Sequence, residues 1–167
     1  RTIDEAVEIS LKLIDQKAGA SSACLTPEEL AAIVNEKKSM SPEQKYLRGI
    51  LAGGTFCYQS QQIMQQAGFP IYSNSPFNKK YLLADPDKSV EHTIVDMGSD
   101  FYTLGKPHPM IDGTMRKRRI LAESRDPQVA VLYLDFIMGY NASMDPAGEL
   151  VDSIREAKQI SGQRGGV

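Results

Sequence analysis

The chain of 167 residues has no apolar run near the ~20 residues that a membrane-spanning helix requires, and no charged-then-apolar leader opens it. It also lacks an excess of either charge. Nineteen basic residues against twenty-one acidic ones leave a net charge of −2, with no basic face to draw nucleic acid or anionic lipid. The expected partners are small molecules or other proteins, not nucleic acid and not membrane. Cysteine is scarce as well: Cys24 and Cys57 stand alone, with neither metal-ligand spacing nor a disulfide framework. That predicts a reducing, cytoplasmic setting, no metal centre, and a Cys57 that is only a small buried hydrophobe. An initiator methionine is missing too. Arg1 runs straight into the capping box Thr2-Ile3-Asp4-Glu5, the expectation for a piece of a longer protein. One domain is expected at this length, and a second full one is not.

What is present is organised around Tyr46 to Gly68, where the short apolar run Tyr46-Leu47-Arg48-Gly49-Ile50-Leu51-Ala52 meets Gly53-Gly54-Thr55. A helix-spaced stretch then stops at Gly68. This reads as strand, tight turn, helix, with Thr55 as the helix cap. A glycine turn at a helix start presents free amides and the positive end of a dipole, so Gly53, Gly54 and Thr55 are candidate ligands for phosphate or carboxylate. The plain alternative is a glycine pair that only makes the turn. Residues 1–45 carry three helix openings, at Thr2, Thr26-Pro27 and Ser41-Pro42, joined by polar linkers. They read as a helical lead-in with no chemistry, leaving 46–167 as the main domain.

Phe69 to Glu91 has little periodicity and reads as a loop, either a surface excursion or the cover of a site. A second buried strand, His92 to Gly98, follows, with Asp96 and Asp100 bracketing its end. In Lys106-Pro107-His108-Pro109-Met110-Ile111-Asp112, two prolines hold the histidine on a fixed backbone, and Asp112 is placed to cap the helix Gly113 to Ser124. That helix carries the dense basic run Arg116-Lys117-Arg118-Arg119, read either as a solvated face or as a set of anion ligands. The clearest strand is Val129 to Ile137, with Asp135 as an acid near its carboxyl end. A last helix runs from Ala147 to Ile160.

Strand and helix alternate throughout, which predicts a doubly wound α/β layout with a parallel sheet and its functional loops outside the carboxyl ends of the strands. Three strands would leave an edge poorly covered, and Val167 falls where a fourth would start, so the domain is expected to be incomplete. Asp96, Asp100, His108 and Asp112 are expected to converge on one rim near the glycine turn. There a histidine among carboxylates would serve as proton donor or electrostatic clamp, with a structural role for the rigid loop as the alternative.

These residues carry a resemblance. The strand with Gly-Gly-Thr-Phe-Cys-Tyr-Gln-Ser resembles the start of the second domain of succinyl-CoA synthetase alpha subunits, and Ser124-Arg125-Asp126-Pro127-Gln128 before a buried strand is similar to the same family. The FdrA-type acyl-CoA synthetase branch is closer. Its pattern Leu-Arg-Gly, Gly-Gly-Thr, Asp-x-Gly-x-Asp-x-x-Thr-x-Gly-x-Pro-His-Pro-Met-Ile-Asp and Asp-Pro-x-Val-Ala-Val is met between Leu47 and Asp145. The resemblance implies a flavodoxin-like domain in which Gly53, Gly54 and Thr55 belong to a phosphate site, working in an acyl-CoA synthetase that handles an acyl phosphate. It implies phosphate, CoA and ATP or ADP as ligands of the full enzyme and an upstream CoA-binding-like domain as partner, while the early end of the sheet predicts a homo- or hetero-oligomer. The synthetases' phosphohistidine sits in a Gly-His-Ala-Gly type loop that this chain lacks, and His108 lies in a segment they do not share. Their glutamate that partners the phosphohistidine falls near Asp135. Asp96, Asp100 and Arg116 stand as substrate-binding candidates, and His108, Asp112 and Asp135 as catalytic ones. The branch is also linked with oxamate carbamoyltransferase, so carbamoyl phosphate is the alternative substrate, and a non-catalytic scaffold is the reading without chemistry.

Overall fold

A computed structural model describes residues 26–162. Cys24, the helix expected over Thr2 to Lys17 and the glycine-rich tail after Gly162 lie outside them. The chain divides after Ser39 into two compact units. In the first, the helix α1 (Pro27–Ser39) begins with the expected reciprocal cap: Thr26 Oγ1 accepts the Glu29 amide at 3.2 Å and Glu29 accepts the Thr26 amide at 2.8 Å.

The second unit begins at Met40. Ser41 and Gln44 bond as a capping pair, yet no helix follows, which corrects the third expected helix opening. The Gln44 side chain instead donates to the Val129 carbonyl at 3.1 Å, and the amides of Lys45 and Tyr46 donate to Gln128, drawing the chain into a sheet. That sheet has four parallel strands, β1 (Tyr46–Leu51), β2 (Ile71–Tyr72), β3 (His92–Asp96) and β4 (Val129–Leu134), in the order β2-β3-β1-β4. β2 corrects the reading of Phe69 to Glu91 as a loop: two residues between a proline and a serine are too few to show a period. β4 stops at Leu134, three residues short of the expected strand, so Asp135 stands just beyond the sheet.

Side chains alternate across these strands, so each strand feeds two cores. Ile50, Val95, Leu132 and Leu134 face one side, where they meet Ile120 of α4 (Thr114–Ser124) and Leu150 and Ala157 of α5 (Pro146–Gly162), with Tyr102 of the short α3 (Asp100–Thr103). Leu51, Ile94 and Tyr133 face the other, against Cys57 and Met64 of α2 (Gly54–Gln66). The result is a three-layer α/β fold with the β3-β1-β4 order of flavodoxin-like sheets. β1 is where the chain's direction across the sheet reverses, and the carboxyl end of such a strand is where open α/β sheets place their ligands.

Candidate functional site at the carboxyl ends of the strands

The loop after β1 passes directly into α2. Gly53 is the N-cap in extended conformation, φ −110 and ψ 117, and no side chain caps the helix. Thr55 is therefore the second residue inside the helix and not its cap, a correction to the expected boundary. Helix geometry leaves the first-turn amides of Gly54, Thr55 and Phe56 without intrahelical acceptors, the Cys57 amide being the first to close on Gly53 at 3.0 Å. Gly54 and Thr55 are exposed.

Three side chains close on this turn. Asp135 accepts the amides of Ala52 at 2.8 Å and Gly53 at 3.0 Å, and its Oδ1 also takes Arg116 at 3.0 Å. Arg116 is only 2% exposed and donates further to the carbonyls of Ile50 and Asp135, so it ties the ends of β1 and β4 together. Burial pulls the Arg116 pKa below its ordinary value while Asp135 pulls it back. The Arg116 Nε finds no partner among the described residues.

Asp96 ends β3. Its Oδ2 would meet a side chain on Gly54 at 3.0 Å, and its Oδ1 accepts the Gly98 amide at 2.9 Å. Burial raises its carboxyl above the ordinary 3.8; the Gly98 amide and His108 oppose this and Asp135 adds to it. Asn74, which sequence reading passed over, fixes this strand end: its amide donates to the Asp96 carbonyl at 2.9 Å and to Ser99, and its carbonyl oxygen accepts the Asp96 amide at 2.9 Å. The only signal was an asparagine in Ser73-Asn74-Ser75-Pro76, which reads equally well as a turn.

His108 leans on Gly98. A Cβ there would lie 2.6 Å from His108 Nε2, 2.6 Å from the Ala52 carbonyl oxygen and 3.2 Å from Asp96 Oδ1, so the absent side chain is the room the ring occupies. Reading the chain placed Gly98 only as the end of a strand and as part of the family pattern, not as room for a ring. Asp96, Asp135, His108 and the Gly53-Gly54 turn thus come together. The other candidates are placed differently. Asp112 is exposed, and its Oδ1 takes the Thr114 hydroxyl and amide at 2.6 and 2.8 Å, bonds that lower its pKa. The helix it was to cap starts one residue later, with Gly113 as N-cap, and the Gly113 amide is held by Glu149 at 3.1 Å. Asp100 opens α3 and is exposed, with no ion pair among the described residues. Cys57 is buried, its thiol pushed up to about 12 chiefly by desolvation, which leaves it inert. Among the described residues no cluster of His, Cys, Asp and Glu fits a metal ion.

Residues 50–163 match the CoA-ligase family. The chain is also 40% identical over 133 residues to an uncharacterized protein of Escherichia coli (strain K12), YahF, a match that covers 80% of this chain and 26% of that protein. The chain therefore spans about a quarter of the length of that relative.

Proposed function

The chain belongs to the CoA-ligase family, and from that membership we propose that the open amino end of α2 holds the phosphate of an acyl phosphate in an acyl-CoA ligase, of which this α/β domain is one part. The narrower placement in an FdrA-type branch rests on the Pro107-His108-Pro109-Met110-Ile111-Asp112 run. In such a reaction a CoA thiolate attacks the acyl carbon, the C–S bond forms, and the C–O bond to phosphate breaks with its electron pair leaving on the phosphate. Charge thus develops on the phosphate oxygens, where preorganised amides and a helix dipole stabilise it most. The observation that carries the reading is the uncapped first turn of α2 opening beside Asp96, at the strand where the sheet reverses. The Ala52 and Gly53 amides are already given to Asp135, so the ligand's share is the amides of Gly54, Thr55 and Phe56.

That same internal carboxylate favours a second reading. With Asp135 filling half of the turn and Arg116 locked to it, the domain could keep the fold as a scaffold without chemistry. Calorimetry of inorganic phosphate on the full-length protein separates the two. Gly54→Val would force a side chain against Asp96 and over the amides, so a phosphate seat loses affinity about tenfold, or about 1.4 kcal/mol. Unchanged affinity in a folded variant overturns the seat. Turnover with ATP, CoA and dicarboxylates, against oxalurate with phosphate, then separates acyl-CoA formation from carbamoyl transfer, and turnover with neither set assigns the scaffold.

A further inference from the structure

We infer that His108 works at this site as a fixed hydrogen-bond donor through Nε2–H and is closed to phosphorylation. The inference rests on the phosphate seat proposed above for its ligand, and on the geometry of the imidazole for the rest.

The Met110 amide donates to His108 Nδ1 at 3.2 Å. A backbone N–H can only donate, so Nδ1 is the acceptor nitrogen, and the proton of the neutral ring is on Nε2. The turn that makes this contact is held on every side. Pro107 and Pro109 fix the backbone before and after the ring, and the His108 carbonyl accepts the Ile111 and Asp112 amides at 2.8 and 3.1 Å. Gly98 provides the room for Nε2 beside Asp96 Oδ1, while Asp96 Oδ2 borders Gly54 at the start of α2. The Asp96 carboxylate thus lies between the imidazole and Gly54 at the start of α2, whose amides form the proposed seat.

A phosphoryl acceptor needs the opposite arrangement. For Nε2 to attack phosphorus, its lone pair must be bare, which moves the ring proton to Nδ1, where the Met110 N–H already points; two hydrogens would then meet head-on. Attack by Nδ1 itself would strip the Met110 amide of its acceptor and place a phosphoryl group inside the tight turn. The chain has only one other histidine, His92. Its Nδ1 accepts the Leu47 amide at 3.2 Å, and its ring meets Tyr46 and Phe69 edge-on at the start of β3, the end of the sheet away from the seat. Neither histidine is set to carry phosphate.

Three measurements on the full-length protein test this. Nitrogen NMR of the histidine side chains, at a pH where the ring is neutral, is expected to place the His108 proton on Nε2; a proton on Nδ1 overturns the inference. His108→Gln keeps an N–H donor in place of Nε2 but cannot take a phosphoryl group, and His108→Ala keeps neither. Inorganic phosphate affinity is expected to stay within about threefold in the glutamine variant and to fall roughly tenfold or more in the alanine variant, the size of a hydrogen bond to a charged group. Equal losses in both overturn the donor role. Incubation with labelled acetyl phosphate or Mg-ATP is expected to leave no acid-labile phosphoryl label on His108, and such a label, absent from the glutamine variant, overturns the inference. Wild-type protein that binds no phosphate would instead sink the seat, with the NMR tautomer and the label still deciding the state of the ring.

Discussion

Asp96 is the residue at which stability and site chemistry pull against each other. It is buried at the end of β3 with Asp135 nearby, and its carboxyl is raised above 3.8, burial being the first cause. The sign follows from proton binding. Between 3.8 and the raised value the folded chain holds a proton that the unfolded chain has lost, so stability falls as pH rises through that window, and the penalty is fully present at neutral pH. Asp96→Asn keeps an oxygen for the Gly98 amide and removes the charge. Thermal unfolding should give the variant a higher Tm than the parent at pH 7, with the gap closing near pH 4. A variant that is less stable at pH 7 than at pH 4, relative to the parent, sinks the argument. The carboxylate was legible as a rim residue because it ends a strand. Its neighbours Gly98 and Asn74 were not, because their role depends on what the fold brings against them.

At the scale of an element, α4 shows why a basic run misleads. Helical spacing puts Arg116 and Arg119 on one side, and both are buried, while Arg118 is exposed. The solvated-face reading is thereby corrected for half of the run. Arg119 meets Glu123 one turn on at 2.6 Å, a pair whose i,i+4 spacing was readable in the chain. Less readable was Arg48 of β1, which reaches the same Glu123 at 3.0 Å and Asp126 at 3.0 Å, or Ser89, whose hydroxyl meets Glu123 at 2.5 Å. Glu123 thus balances two guanidiniums, 3% and 7% exposed, and joins a strand to the helix above it. Glu123→Leu strands both buried charges and should lower the unfolding free energy by about 3–5 kcal/mol in urea. Asp152→Ala, which removes the exposed partner of Arg155 on α5, should cost no more than about 1 kcal/mol. Similar losses in the two variants would mean that Glu123 is not the keystone of a buried network.

On the scale of the whole molecule, the sandwich of helices around a parallel sheet was legible because Val129 to Leu134 and the core of β1 are apolar on both faces, as only doubly covered strands are. The sheet's edges were not, since β2 has two residues and its pairing depends on β3. The two edges differ in kind. β2 is short and follows Pro70, which blunts it, whereas β4 is six residues of Val129-Ala130-Val131-Leu132-Tyr133-Leu134 with a partner on one side only among the described residues. Val131, 44% exposed, lies on that open strand. A long apolar edge is a template for another strand, so the 167-residue chain on its own is expected to associate with rising concentration in sedimentation velocity. Val131→Lys puts a charge on the edge where its head can reach water. It should shift the chain toward monomer while changing stability by less than about 0.5 kcal/mol, as surface substitutions do. A parent chain that stays monomeric at every concentration, or a lysine variant that associates as strongly, would show that β4 is closed by its own surroundings and that the open edge has no consequence in solution.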